Sequence, residues 1–104
     1  MTKSNSGTHN VLEDLGFTDA KELTAKVILA MKINELIDDK ALTPVQVAEL
    51  TGMTQPKVSN IRRYKLLNIS LERMMHSLVA LDQNVEIIVR PARQNLTADI
   101  TVTI

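Results

Sequence analysis

The sequence contains no cysteine and no tryptophan, and its aromatic side chains are limited to Phe17 and Tyr64. The lack of cysteine excludes disulfides, thiolate catalysis and cysteine-based metal sites, and it fits the reducing cytoplasm, where we expect the protein. Because aromatic residues are so few, the core must be aliphatic, with five methionines as adaptable filler. No apolar run approaches the length of a membrane span and no signal peptide is visible, so we expect no membrane partner.

Features of enzymes are also missing. The chain has only three glycines and no Gly-rich phosphate loop, and its two histidines, His9 and His76, are not spaced as a metal-binding pair. No combination of serine, histidine and carboxylate suggests a catalytic triad. We therefore predict a protein that is not an enzyme and that has no catalytic residue, no metal site and no cofactor.

The formal net charge is zero, but the charges are unevenly distributed. Residues 1–53 carry five lysines against eight carboxylates, whereas residues 54–104 carry seven cations against four carboxylates. Four of those cations and no acid fall within residues 54–65. A basic patch backed by an acidic remainder suits a protein with two different partners, one of them nucleic acid; chance in a short chain is the alternative.

The stretch TPVQVAELTGMTQPKVSNIRRYK, residues 43–65, predicts two short helices joined by a tight turn. Thr43 is a good N-cap, Pro44 suits the first helical position, and Gln46 completes a capping box. Gly52 can end the first helix in the left-handed conformation, and Thr54 can cap the next one. Two helices this close must cross steeply, which is the helix-turn-helix arrangement.

The second of these helices has one apolar and one polar side. Val58 and Ile61 point to the same side and are predicted to face the core. The residues predicted to read base edges lie opposite: Gln55, Ser59, Asn60 and Arg63. Those predicted to contact phosphate flank them or cap the helices: Thr43, Gln46, Thr54, Lys57, Arg62, Tyr64 and Lys65. The alternative is a polar helix face that is merely solvated.

Around this motif the chain divides into a polar tail and further helices. Residues 1–9 are small, polar and aperiodic and predict a disordered tail. A domain over residues 10–84 follows, in which we expect a short segment broken by Gly16, a long helix over residues 20–40 and another over residues 70–81. The apolar residues of the long helix are too widely spread for one stripe, so it should be buried on more than one side.

From residue 85 the apolar period changes to two, which predicts two strands around a loop at residues 91–98. The expected fold is mainly α, a helix-turn-helix bundle with a C-terminal β-hairpin over residues 85–104. We predict that these strands form a homodimer interface, because a lone hairpin is marginal in water and strand edges invite pairing. The apolar residues concerned are Val85, Ile87, Ile88, Val89, Ile100, Val102 and Ile104. Alternatively, the hairpin covers its own helices and residues 20–40 form the dimer.

Two parts of the motif, LTPVQVAELTG and MTQPKVS, resemble the lambda-repressor-like (XRE-type) helix-turn-helix family. Together with NVLEDLGF, NISLERMMHSLVALDQNVEI and VRP, they are similar to the HigA-like antitoxins of bacterial toxin–antitoxin modules. Tyr64 and Asp82 occupy positions at which these proteins often have the glycine that ends a helix. The resemblance implies a compact helical bundle that acts as a dimer, represses its own operon at a palindromic operator in double-stranded DNA, and neutralises an RNase toxin.

An antitoxin of this kind needs a surface for a small basic toxin. The candidate is the apolar–acidic N-terminal segment, with contacts from Val11, Leu12, Glu13, Asp14 and Phe17. Two alternatives stay open: a stand-alone, phage-type transcriptional regulator without a toxin, and a protein-interaction module whose helix-turn-helix no longer binds DNA.

Overall fold

A computed structural model describes residues 11–94 and 99–104, with side chains from residue 20 onward. The described chain contains four α-helices. Their bounds are Val11–Asp39 for α1, Pro44–Thr51 for α2, Gln55–Arg62 for α3 and Leu71–Ala80 for α4. None of them is long and apolar enough to cross a membrane. The predicted tail at residues 1–9 lies outside the described residues.

Helix α1 is longer than predicted, because it runs without a break through Gly16. The expected interruption there is wrong. A glycine inside a helix costs only about 1 kcal/mol relative to alanine, and the packing of the rest of α1 on the core can offset a cost of that size. The predicted long helix over residues 20–40 is therefore the second part of α1, which ends at Asp39.

The core lies where α1 and α4 pack together and α2 and α3 close one side. The buried residues of α1, from Ala25 to Ile37, fall within about half of the helix circumference, and Met31 on the other side is 52% exposed. The expected burial on more than one side is therefore not seen in the single chain. The core is aliphatic as expected, since no aromatic side chain of the described part belongs to it. Its fully enclosed apolar members are Ala30, Ile33, Val47, Val58, Ile61, Leu66, Ile69, Met74 and Leu81.

Three helices end in a left-handed residue that is not glycine. These residues are Ala41 with φ 53°, Tyr64 with φ 60° and Asp82 with φ 70°. In each case the following N–H closes a six-residue loop to the helix, as Lys65 does by donating to the carbonyl of Asn60 at 2.8 Å. The sequence placed Tyr64 and Asp82 at glycine-like positions, and this geometry confirms it.

The predicted C-terminal β-hairpin is wrong. The described residues 85–94 and 99–104 form no strand, and no backbone hydrogen bond joins them. Instead, Val85 and Val102 pack against the helical core, and Asp99 forms an ion pair with Lys21 of α1 at 3.5 Å. An isolated two-stranded hairpin is only marginally stable in water. Each of the two segments can instead pack one apolar side chain on helices that are already folded. Two residues of the alternating apolar pattern, Val85 and Val102, are therefore covered by the helices, and no strands pair within the described chain.

Candidate nucleic-acid interface

Helix α2 begins with the predicted capping box. The hydroxyl of Thr43 accepts a hydrogen bond from the Gln46 backbone N–H at 3.2 Å, and the Gln46 side chain accepts one from the Thr43 N–H at 2.9 Å. Pro44 occupies the first turn. The helix ends at Gly52, whose φ of 77° is left-handed and whose N–H donates to the carbonyl of Ala48 at 2.9 Å. Start and end signals of α2 thus act as the sequence predicted.

The turn between α2 and α3 is held by a residue that sequence reasoning passed over. The Thr51 hydroxyl donates to the carbonyl of Val47 at 2.7 Å and accepts from the backbone N–H of Met53 at 3.2 Å. Met53 is thereby inserted into the core. Thr54 then caps α3, accepting from the backbone N–H of Lys57 at 3.4 Å. The available signal was a threonine directly before Gly52, because a threonine hydroxyl can bond with nearby backbone groups at a helix end.

Helix α3 is oriented as the pattern predicted. Val58 and Ile61 are only 2% and 1% exposed and pack in the core. The opposite side faces solvent, with Gln55, Ser59 and Arg63 exposed and Asn60 half-buried. The four candidate base-reading residues therefore share one outward face on a helix whose other face is anchored.

Two of these residues contact each other. The Arg63 guanidinium donates through Nη2 to Oδ1 of Asn60 at 3.3 Å and through Nε to the carbonyl of Ser59 at 3.4 Å. The guanidinium is thereby folded along α3 beside the Asn60 amide. Side chains held this way lose less conformational freedom when they bind than side chains that move freely in solvent.

Arg62, a predicted phosphate contact, is tied to α1 instead of extending freely. Its Nη2 donates to the carboxylate of Asp38 at 2.7 Å, and its Nη1 donates to Oδ1 of Asn34 at 3.1 Å. Asn34 is 8% exposed, and its amide nitrogen donates to the carbonyl of Ile61 at 3.1 Å. We call Asn34, Asp38 and Arg62 the α1–α3 clamp, because together they fix the end of α3 to α1.

Asn34 is the residue of the α1–α3 clamp that sequence reasoning missed. The available signal was an amide among the apolar residues of α1, because a buried amide needs partners for both its donor and its acceptor. Here the donor is satisfied by Ile61 and the acceptor by Arg62. The bonds of Asn34 to Ile61 and Arg62 thus fix the orientation of α3, and of its outward polar face, relative to α1.

The other candidate phosphate contacts lie at helix ends. Tyr64 is 44% exposed and Lys65 is exposed at the end of α3. The Lys57 amine is within 3.5 Å of the carbonyl of Asn68, at the threshold of a weak hydrogen bond. Thr43 and Thr54 are exposed at the starts of α2 and α3, where backbone N–H groups favour anions. No carboxylate occurs in residues 54–65 to oppose this charge.

The described side chains include no group of three metal-binding types close enough to hold an ion. The predicted toxin contacts, Val11, Leu12, Glu13, Asp14 and Phe17, have side chains outside the described set. Their backbone belongs to α1.

Two capped helices across a tight turn, the second with an outward polar face, define a helix-turn-helix module. Residues 11–90 match the model of a family described as a helix-turn-helix domain. The chain belongs to the XRE family of helix-turn-helix transcriptional regulators: it is 44% identical to a solved structure carrying that family description, with a TM-score of 0.74. The match covers 82% of this chain and 97% of that one. No curated protein matches this chain significantly.

Proposed function

We propose that the protein is a sequence-specific repressor that inserts α3 into the major groove of double-stranded DNA. The outward face of α3 supports this proposal most directly, since Gln55, Ser59, Asn60 and Arg63 point away from the buried Val58 and Ile61. Arginine donates to the paired acceptors of guanine, and asparagine and glutamine pair with adenine. Such side chains on an anchored helix have the chemistry that base recognition needs.

Phosphate contacts would come from both ends of the module. We assign them to Thr43, Gln46 and Thr54 at the helix starts and to Lys57, Tyr64 and Lys65 around α3. Arg62 takes a positioning role in this proposal, because its guanidinium already bonds with Asp38 and Asn34.

A single recognition helix of eight residues reads few base pairs. We therefore propose that the protein acts as a homodimer on a palindromic operator, with half-sites about 34–36 Å apart. Each subunit of the dimer would then place the outward face of its own α3 in one half-site of the same DNA.

The experiment is a titration of the DNA upstream of the gene with wild-type protein and single variants at several salt concentrations. Arg63→Ala should cost about 1–3 kcal/mol for the specific site and relax the preference at one base pair. Lys65→Ala should weaken specific and random DNA alike and flatten the salt dependence. Arg93→Ala, a charge-matched control in the C-terminal segment, should change neither.

If Arg63→Ala left the affinity unchanged while binding remained sequence-specific, the assignment of α3 as the reading element would be wrong. If wild-type protein bound no DNA better than random sequence, the protein would be an interaction module with a helix-turn-helix scaffold.

The repressor is further proposed to be the antitoxin of a small basic RNase. This rests on the resemblance of NVLEDLGF and the later motifs to HigA-like antitoxins and on the acidic excess of residues 1–53. The predicted contacts at Val11, Leu12, Glu13, Asp14 and Phe17 belong to the first turns of α1. The alternative is a stand-alone regulator with the same DNA-binding face.

Charge reversal tests the toxin contact better than deletion, because removing residues 1–17 would shorten α1. The double variant Glu13→Lys/Asp14→Lys should stop rescuing growth when the product of the adjacent gene is expressed. It should retain wild-type affinity for DNA. Rescue at full strength by this variant would refute the proposed contact. If the adjacent gene product were not toxic, the alternative of a stand-alone regulator would be favoured.

A further inference from the structure

We propose that residues 86–90 pair antiparallel with the same residues of a second copy, with Ile88 on the two-fold axis. The inference rests on the proposed homodimer and specifies its surface and register, but it does not depend on DNA binding. It concerns pairing between two copies and not the hairpin that the single chain lacks.

The segment exposes an unusual amount of apolar surface. Ile87 is 74% exposed, Ile88 is 66% exposed and Val89 is 89% exposed, although the three are consecutive. Single exposed apolar residues are common, but here Ile87 and Val89 are exposed together on one side of the segment, and Ile88 is exposed on the other. Exposed apolar residues grouped in this way mark a surface that another molecule covers.

Beside this segment lies a cleft of about 750 Å³ between residues 85–90 and 99–104. Leu29 of α1 and Met75 and Leu78 of α4 give it a largely apolar floor, with Lys32 as the charged residue that the helices contribute. Val85 packs on the core, and because side chains alternate in extended chain, Ile87 and Val89 share its side. A second copy laid along the segment would bring its own Ile87 and Val89 over the same floor.

The backbone of the segment also needs a partner. Its N–H and C=O groups form no hydrogen bond with any other described residue. An extended segment with free backbone groups and an apolar side is suited to accept another extended segment. The occupant is therefore expected to be extended chain and not a helix.

Charge complementarity identifies that occupant as a second copy. In antiparallel pairing centred on Ile88, Glu86 of each copy stands directly opposite Arg90 of the other, and Ile87 stands opposite Val89. Two cross-strand ion pairs result, each of a kind that stabilises pairing. Pro91 has no N–H to donate and would end the ladder directly after Arg90.

Other registers lose this match. A shift of two residues in either direction places Glu86 opposite Ile88 or Ala92, and a shift of four places Glu86 opposite Glu86 or Arg90 opposite Arg90. A shift by one residue would align the apolar side of one copy with the charged side of the other. Only the register centred on Ile88 satisfies the charges and the apolar side together.

Charge exchange tests the register by sedimentation of the full chain. Glu86→Arg and Arg90→Glu should each raise the dimer dissociation constant at least about tenfold, because like charges then face each other twice. The double variant should return to within about threefold of wild type, because the pair is restored with its ends exchanged. The register would be overturned if the single variants left the dimer dissociation constant unchanged. It would also be overturned if the free-energy losses of the two single variants simply added in the double variant.

A cysteine scan provides an independent measurement, since the natural chain contains no cysteine. Ile88→Cys should form a disulfide-linked dimer rapidly under mild oxidation, because directly opposed residues in antiparallel chains are about 4.5–5.5 Å apart at Cα. Leu50→Cys is the control: it is 51% exposed on α2 and does not line the cleft.

Equal cross-linking at the two positions, or a monomeric wild-type protein at tens of micromolar, would refute the inference. Failure of the DNA titration with cross-linking retained would instead refute the proposed function and leave the dimer intact.

Discussion

The α1–α3 clamp supports a quantitative prediction about stability. In Asn34→Ala, the carbonyl of Ile61 loses the amide donor at 3.1 Å and Arg62 loses the Oδ1 acceptor at 3.1 Å. A neutral hydrogen bond contributes about 0.5–1.5 kcal/mol and a charged one about 1.5–3 kcal/mol. The Ile61 carbonyl keeps the N–H of Tyr64 at 3.1 Å, so the loss should lie near the lower end. We expect Asn34→Ala to reduce the free energy of unfolding by about 2–3 kcal/mol.

Asp38→Ala is the matched comparison, because it removes another partner of the same guanidinium. The Asp38 contact is shorter, at 2.7 Å, but the side chains of Arg62 and Asp38 are 39% and 65% exposed. Ion pairs this open to water contribute about 0.2–1 kcal/mol, so Asp38→Ala should cost less than 1 kcal/mol. Burial, and not distance, is expected to decide which contact stabilises α3.

Urea unfolding followed by circular dichroism measures both variants. With a slope of about 1–1.5 kcal/mol per molar for a small domain, Asn34→Ala should shift the midpoint by about 2 M and Asp38→Ala by well under 1 M. The slopes themselves should stay unchanged. Equal shifts for the two variants, or a shift under about 0.3 M for Asn34→Ala, would contradict the assignment of Asn34 as the buried centre of the clamp.

Other substitutions test local geometry by the same unfolding measurement. Tyr64→Gly should raise stability by about 1 kcal/mol, because φ is 60° there, whereas Gly52→Ala at φ 77° should lower it by about 1 kcal/mol; the opposite signs would contradict the strain argument. Thr43→Ala should cost about 1–2 kcal/mol through loss of both halves of the capping box, and a neutral result would mean that the box does not stabilise α2. Val47→Ala should cost about 1–3 kcal/mol because Val47 is 1% exposed, and Val45→Ala, 49% exposed, should cost under about 0.5 kcal/mol; equal costs would contradict the core placement.

Local sequence signals determined the helix-turn-helix. Caps act within a few residues of each other, so Thr43 with Gln46, and Thr54 with Lys57, form the predicted starts of α2 and α3. The helical period likewise placed Val58 in the core and the polar face outward. Both kinds of signal depend on chain neighbours alone, which is why they can be read without the fold.

Contacts between distant residues were decided by tertiary structure. Arg62 looked like a free cation in the sequence, but Asn34 and Asp38 lie more than twenty residues away and bind it only once α1 and α3 are packed.

The break at Gly16 and the C-terminal hairpin were inferred from local sequence alone, and both inferences failed because packing on the helical core decided the outcome. The packing of α1 on the core offsets the modest cost of a helical Gly16. The apolar alternation from residue 85 specifies an extended chain with one apolar side, but not what covers that side. The helical surface formed by α1 and α4 took Val85 and Val102, and strand pairing inside the chain became unnecessary.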